Sequence, residues 1–370
     1  MRPANEVDFW RGLALVCIFA NHIPGFLFER FTPRNIGLSD SAELFVFLAG
    51  WALRRLADDA RDRPSLLRLV LRLGARAVTL YAAQILITAL AIGITAAAAL
   101  WLDNPLLLEW NNSAAVFQDP ASAHIGLVLL THQLGYFDIL PLYVVLMLSA
   151  PGLALVHYAA PRLVLPLSGA MYVATLATGF NLPTWPVEGT WYFAPFAWQL
   201  VFTLGFTLAG PRIPARADRL GRIPLRVAGL AVAVAGAWAA LSDYEPDPLR
   251  VPWPPLFFIL DKTFDTPARV IHLLGLVALF AGSFGRISRA ARPLARFLSM
   301  LGRNSLNVFC VGSLMSLTGQ IVRFGFGHGI GTDCALLGAG VAAMGFTAWL
   351  SELRDRLRRS EPALSRLPSA

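Results

Sequence analysis

From Arg76 to Leu100 the chain reads RAVTLYAAQILITALAIGITAAAAL, an arginine followed by an unbroken run without a charge. At 1.5 Å rise per residue, such a helix is long enough to cross a hydrocarbon layer of about 30 Å. In lipid the backbone must satisfy its own hydrogen bonds, so a run of this kind is read as a helix. The alanines near 96–99 suit that reading. Working outward from this run, the same character fills the chain. Of 370 residues 56% are hydrophobic and 15% charged, with a mean hydropathy of +0.57. A soluble domain carries charges at about 25% of positions, so this chain has too few to clothe a water-facing surface. The expected fold class is all-α: a polytopic integral membrane protein of about ten transmembrane helices. These fall near 7–28, 38–57, 76–100, 136–156, 161–180, 195–210, 225–242, 267–284, 297–322 and 332–351.

The arginines set the expected orientation. Between the second and third spans they run from Arg54 and Arg55 through Arg61, Arg63, Arg68 and Arg72 to Arg76. Arg212, Arg216, Arg219, Arg222 and Arg226 lie between the sixth and seventh spans, and Arg286, Arg289, Arg292 and Arg296 follow the eighth. The segments near 101–135, 181–194 and 243–266 are acidic or neutral and hold Trp101, Trp110, Trp185, Trp191 and Trp253. Positive-inside bias then puts both termini in the cytoplasm. The tryptophans read as interfacial anchors or as a carbohydrate-stacking surface. One membrane-embedded domain over 1–370 is expected, with a short Arg-rich cytoplasmic tail at 352–370 that includes Arg354, Arg356, Arg358 and Arg359. Asp8 and Arg11 interrupt the first apolar stretch, so it reads as a retained helix and not a cleaved leader. The net charge of +8 follows this topology and does not imply nucleic acid. Cys17, Cys310 and Cys334 form no CxxC pair, and no metal or redox site is expected. There is no Walker lysine loop, GxSxG elbow or HExxH.

Ionisable residues inside a span are costly and are functional candidates by default. The first span holds Asp8, Arg11 and His22. The eleven steps from Arg11 to His22 are close to three turns, so both share one helix face about 16 Å apart. Asp8 lies three residues from Arg11 and is placed to pair with it. His22, with a pKa near neutrality, is suited to taking a proton from a hydroxyl, or else to capping the helix before Pro24. Glu43 at the head of the second span needs a partner, His22 or Arg11, or serves as a capping acid. Arg68, Arg72 and Arg76 recur every four residues and form one stripe. That stripe is either a clamp for a polyanion such as coenzyme A or simple positive-inside anchoring.

A second polar cluster is expected where Lys262, the only lysine, precedes Asp265, Arg269 and His272. An acyl acceptor or an acyl carboxylate would fit there, as would a structural pair between Asp265 and Arg269. Asp138 stands at the mouth of the fourth span, and Trp191 lies in the external segment before the sixth.

Arg11 and His22, with ten residues between them, resemble the signature of acyltransferase-3-type membrane acyltransferases. Asn21 to Gly25, Tyr136 to Tyr143, Trp191 to Gln199, Lys262 to His272 and Leu301 to Cys310, in that order, resemble the OpgC family, which succinylates osmoregulated periplasmic glucans. The resemblance spans about residues 5–325. It implies a ten-helix inner-membrane O-acyltransferase with succinyl-CoA as donor substrate, no tightly bound cofactor, and a periplasmic glucan as acceptor. In that family picture His22 is the general base, Arg11 polarises the thioester, Asp8 and Glu43 orient them, and Arg72 and Arg76 hold coenzyme A. An O-acetyltransferase for another envelope polysaccharide and an exporter of an acidic glycan are the competing readings. Absent repeats and paired broken helices weigh against the exporter.

Overall fold

A computed structural model describes residues 3–61, 66–210 and 215–364. In chain order its longer helices are α1 (Glu6–Asn21), α2 (Ser41–Arg61), α3 (Leu66–Trp101), α4 (Ile139–Ala159), α5 (Val164–Thr178) and α6 (Pro195–Leu208). Then follow α7 (Ala215–Leu241), α8 (Pro267–Phe280), α9 (Phe284–Ala290), α10 (Arg292–Arg303), α11 (Ser305–Phe326) and α12 (Ile330–Leu364). Short helical turns fill the segment between α3 and α4. Among the described residues there is only an isolated β-bridge, Pro183 with Thr190, so the fold is all-α. Arg63, Arg212 and the last six residues of the tail lie outside the described residues, as do the side chains of Arg61, Arg216, Arg219, Arg222 and Arg359.

Among the described residues five helical segments are long and apolar enough to cross a membrane: Leu67–Trp101, Ile139–Ala159, Ile223–Leu241, Ser305–Phe326 and Ile330–Arg358. A sixth arises if α8 and α9, bent by 58°, count as one span. Each of the other expected spans also contains a helix, but for physical reasons it falls short on length or composition. Helices α1, α5 and α6 have 16, 15 and 14 residues, or about 21–24 Å against a hydrocarbon layer of about 30 Å. Helix α2 carries Glu43 near its start and Arg54, Arg55 and Asp58 towards its end. The ninth expected span, 297–322, is not continuous. Helix α10 stops at Arg303, Asn304 caps it with its side chain on the Met300 carbonyl at 2.9 Å, and α11 starts at Ser305.

The described chain groups into two compact units, residues 1–29 with 282–370, and residues 30–281. In the first unit α1 crosses α10 with glycines facing each other's backbone: a Cβ on Gly12 would strike the Leu298 carbonyl, and one on Gly302 the Asp8 carbonyl. The second unit repeats the device where α2 crosses α6, Gly50 against the Phe202 carbonyl and Gly205 against that of Phe47. Small residues let helix backbones approach where lipid offers no hydrophobic drive for association. Trp198, Phe202, Phe206 and Phe47 are fully buried around the second crossing.

Candidate functional site

In the residue 30–281 unit, the head of α2 and the segment leading into α8 bring four of the sequence-predicted residues, Glu43, Lys262, Asp265 and Arg269, into one buried cluster with Asp40. Lys262 donates through Nζ to Asp40 Oδ2 at 2.5 Å. The Arg269 guanidinium donates to Glu43 Oε1. The second Glu43 oxygen accepts from the Asp40 backbone N–H at 2.9 Å, and Asp40 Oδ1 accepts from Ala42 N–H at 2.7 Å. Glu43 and Asp265 are fully buried. Within this unit the partner of Glu43 is Arg269, a residue the sequence had not suggested for it. One turn of α8 projects the guanidinium back over the first residues of α2.

Asp265 precedes α8 instead of sharing it, with φ of +44°, and its carboxylate stands 3.8 Å from Arg269 Nε. The pairing expected along one helix thus becomes a loose contact, because Arg269 engages Glu43. Burial, and then Glu43 nearby, push the Asp265 carboxyl well above the usual carboxylate range, with Arg269 opposing them in part. Three carboxylates face two cations here, so a neutral Asp265 lets the remaining four balance. Tyr172 Oη donates to the Asp265 carbonyl at 2.8 Å, and Trp198 Nε1 to the carbonyls of Lys262 and Thr263 at 3.2 and 3.1 Å. The Tyr192 and Phe193 rings lie 5.8 Å from Lys262 Nζ.

His272 occupies a slot between two glycines. A Cβ on Gly37 would come within 2.5 Å of its Cε1, and one on Gly236 would overlap the ring. Its Nδ1 accepts the Ser39 backbone N–H at 3.1 Å, with Ser39 Oγ at 2.7 Å. A backbone N–H only donates, so the neutral ring keeps its proton on Nε2.

In the other unit His22 is the C-cap of α1, with its N–H on the Ile18 carbonyl at 3.1 Å. Asp8 lies in the first turn and accepts from the Asn5 side-chain amide at 2.5 Å, so its contact is with the helix cap. Arg11 is half-buried on α1. Arg68, Arg72 and Arg76 form an exposed stripe along α3, beside the buried line of Leu69, Leu73 and Ala77. Asp138 immediately precedes α4 and makes no side-chain cap. Trp191 is buried at 5% exposure, packed inside its unit instead of facing outward, whereas Trp253 is 83% exposed. An open cleft of about 750 Å³, lined by residues such as Phe297, Met300, Val341 and Trp349, carries no charged side chain to select a nucleotide or a carboxylate. No group of His, Cys, Asp and Glu among the described residues is arranged to hold a metal.

Sequence reading passed over Asp40, Ser39, Gln320, Arg323 and Asp333. For Asp40 a signal existed, since a lone lysine among apolar segments needs a carboxylate. The comparison with family models then matches OpgC protein over residues 4–356. The chain belongs to the OpgC family. No curated protein and no solved structure matches it. The OpgC match takes in both units, so the buried cluster and the His22 region both belong to the family domain.

Proposed function

We propose that this OpgC-family chain is an inner-membrane O-acyltransferase that moves a succinyl group from cytoplasmic succinyl-CoA to glucose hydroxyls of a periplasmic glucan. The observation that carries this reading is the family match across residues 4–356, supported by apolar helices of membrane-crossing length. In this reading α1, α2, α5 and α6, with α8 and α9 taken as one span, complete ten spans and both termini are cytoplasmic. His22 takes the proton of the sugar hydroxyl, the oxygen attacks the thioester carbonyl carbon, and the C–S bond breaks. Coenzyme A leaves as the thiolate and is then protonated. Arg11 polarises the thioester carbonyl, and the Arg68, Arg72 and Arg76 stripe engages the phosphates of the donor.

Lys262 and Arg269 are the cations proposed for the free carboxylate of the acyl group. Each already holds a carboxylate, Asp40 and Glu43 respectively. Succinyl binding there proceeds by exchange of partners, and Asp138, His272 and Trp191 are the further residues proposed for the acceptor or acyl-group site. The test is mass spectrometry of periplasmic glucans from a strain lacking the gene, complemented with the parent or with His22→Ala. Succinyl groups restored by the parent alone support the reaction and the base. Unchanged substitution in the deletion strain sinks the succinyltransferase reading.

A further inference from the structure

A line of side chains on α11 reads the carbonyls at the end of α1. Ser316 Oγ shares its one proton between the Phe19 carbonyl at 3.0 Å and the Gly312 carbonyl of its own helix at 2.9 Å, while Gln320 Nε2 donates to that of His22 at 2.6 Å and Arg323 Nη2 to that of Gly25 at 2.7 Å. Positions 316, 320 and 323 share one helix face, and the carbonyls they meet recur every three residues, so the two elements run in register. The last turn of a helix leaves its carbonyls without intrahelical donors, and in an apolar setting each needs one. Gly25 has φ of +71°, a left-handed turn that points its carbonyl to Arg323 and its N–H to Glu29 Oε1 at 3.1 Å.

The ladder is anchored from the last helix. The Arg323 guanidinium pairs with Asp333, and the other Asp333 oxygen accepts the Leu27 N–H at 2.8 Å. Both side chains are nearly buried, and the guanidinium lies 5.9 Å from the Phe26 ring. Ile23 and Phe26 between these anchors are fully buried, with Ile23 against Gly319. Among these bonds, every side-chain hold on the backbone of residues 19–27, apart from that of Glu29, comes from α11 or α12.

We propose that Ser316, Gln320 and Arg323, with Asp333 fixing Arg323, are positioning residues that set the His22 backbone and thereby aim its imidazole at the hydroxyl. The proposal rests on His22 being the base. Gln320 is its centre, because it holds the His22 carbonyl itself. Helix α12, which carries no reactive residue of its own in the mechanism, enters the site through Asp333.

The decisive variant is Gln320→Met, which keeps length and loses the donor. Coenzyme A thiol release with glucan acceptor should show kcat lowered about tenfold to hundredfold with the KM for acyl-CoA unchanged, the range seen when a reacting group is misplaced by about 1 Å. Carbethoxylation of His22 by diethyl pyrocarbonate, followed by peptide mass spectrometry, should change in rate in the same variant. Arg323→Lys, which keeps the charge, should retain more activity than Arg323→Met. Parental kcat and parental His22 modification in Gln320→Met overturn the ladder. An equal loss in kcat and rise in KM, with His22 modification unchanged, also overturns it, since a merely structural role gives that pattern. The two readings fail separately. If His22→Ala keeps the parental rate, the base itself is wrong. If His22→Ala is inactive while Gln320→Met is parental, only the ladder falls.

Discussion

Two buried polar regions solve the same problem in different ways. Around Glu43 and Arg269, charged side chains face one another: Asp40 and Glu43 each hold a cation and accept a backbone N–H, while the buried Asp265 carboxylate has only its 3.8 Å approach to Arg269. Around His22, side-chain donors are turned onto backbone carbonyls, and the single ion pair, Arg323 with Asp333, serves to hold one of those donors. In the first region charge answers charge, and its two cations are the ones proposed above for the acyl carboxylate. In the second the backbone around His22, the proposed base, is secured by neutral and cationic donors.

The sharpest break of this contrast is His22→Ala, for which acyl transfer should drop by about 10²- to 10⁴-fold, the usual contribution of a positioned general base. Coenzyme A release in membranes measures it, with donor binding unchanged. Full activity would move the chemistry elsewhere, His272 first. Arg269→Met tests the other half. It strands Glu43 as a buried charge, which costs about 3–5 kcal/mol, whereas Glu43→Gln together with Arg269→Met should recover most of that loss. Thermal melting in detergent reads both. Gln320→Met should lower melting less than Arg269→Met, because losing one neutral donor costs about 1–3 kcal/mol. An Arg269→Met protein as stable as the parent would mean that the cluster is not the structural pin.

How much of this was legible before the structure depends on what kind of partner each residue needs. Helices α3, α4, α11 and α12 announce themselves by length and lack of charge. The shorter α1, α5 and α6 carry the same apolar signal but fall below membrane-crossing length, so composition located them without establishing that each spans. The Lys262 to His272 cluster was visible because charges are rare in this chain. Its wiring was not, since whether Glu43 meets Arg269 or His22 depends on which helices pack together, and no local pattern encodes that. Gln320 and Arg323 were invisible for the opposite reason. They bond to backbone carbonyls, and a carbonyl leaves no trace in the identity of the residue that owns it.

A third set of charges belongs to neither region. Arg68, Arg72 and Arg76 line an exposed face of α3, in contrast to the buried Arg269. If they clamp the donor phosphates, Arg72→Ala with Arg76→Ala should raise the Kd for acyl-CoA about tenfold, or about 1.4 kcal/mol, with melting unchanged. Isothermal titration on purified protein measures it. Parental affinity would reduce the stripe to a topology signal.

The finest test concerns Asp265, where the cluster's charge balance makes a prediction opposite to that for Glu43. Its carboxyl is held well above the usual range by burial first and by Glu43 next, so folding disfavours its ionised form. The folded pKa exceeds the unfolded one. Its stabilising contribution is therefore complete below the ordinary aspartate pKa of about 3.9 and is lost as pH rises through the raised folded value. An asparagine in its place would be neutral at every pH and nearly isosteric, and asparagine tolerates the left-handed backbone at this position better than most residues. Asp265→Asn should therefore be stable to within about 1 kcal/mol of the parent near neutrality, and its melting temperature should fall less than the parent's as pH rises above the ordinary aspartate range. Glu43→Gln, by contrast, should destabilise, because it removes the ionised partner of Arg269. If Asp265→Asn proves as damaging as Glu43→Gln, then Asp265 is ionised in the folded protein. The cluster would then carry one uncompensated carboxylate, and its proposed division into two ion pairs and one neutral acid would be wrong.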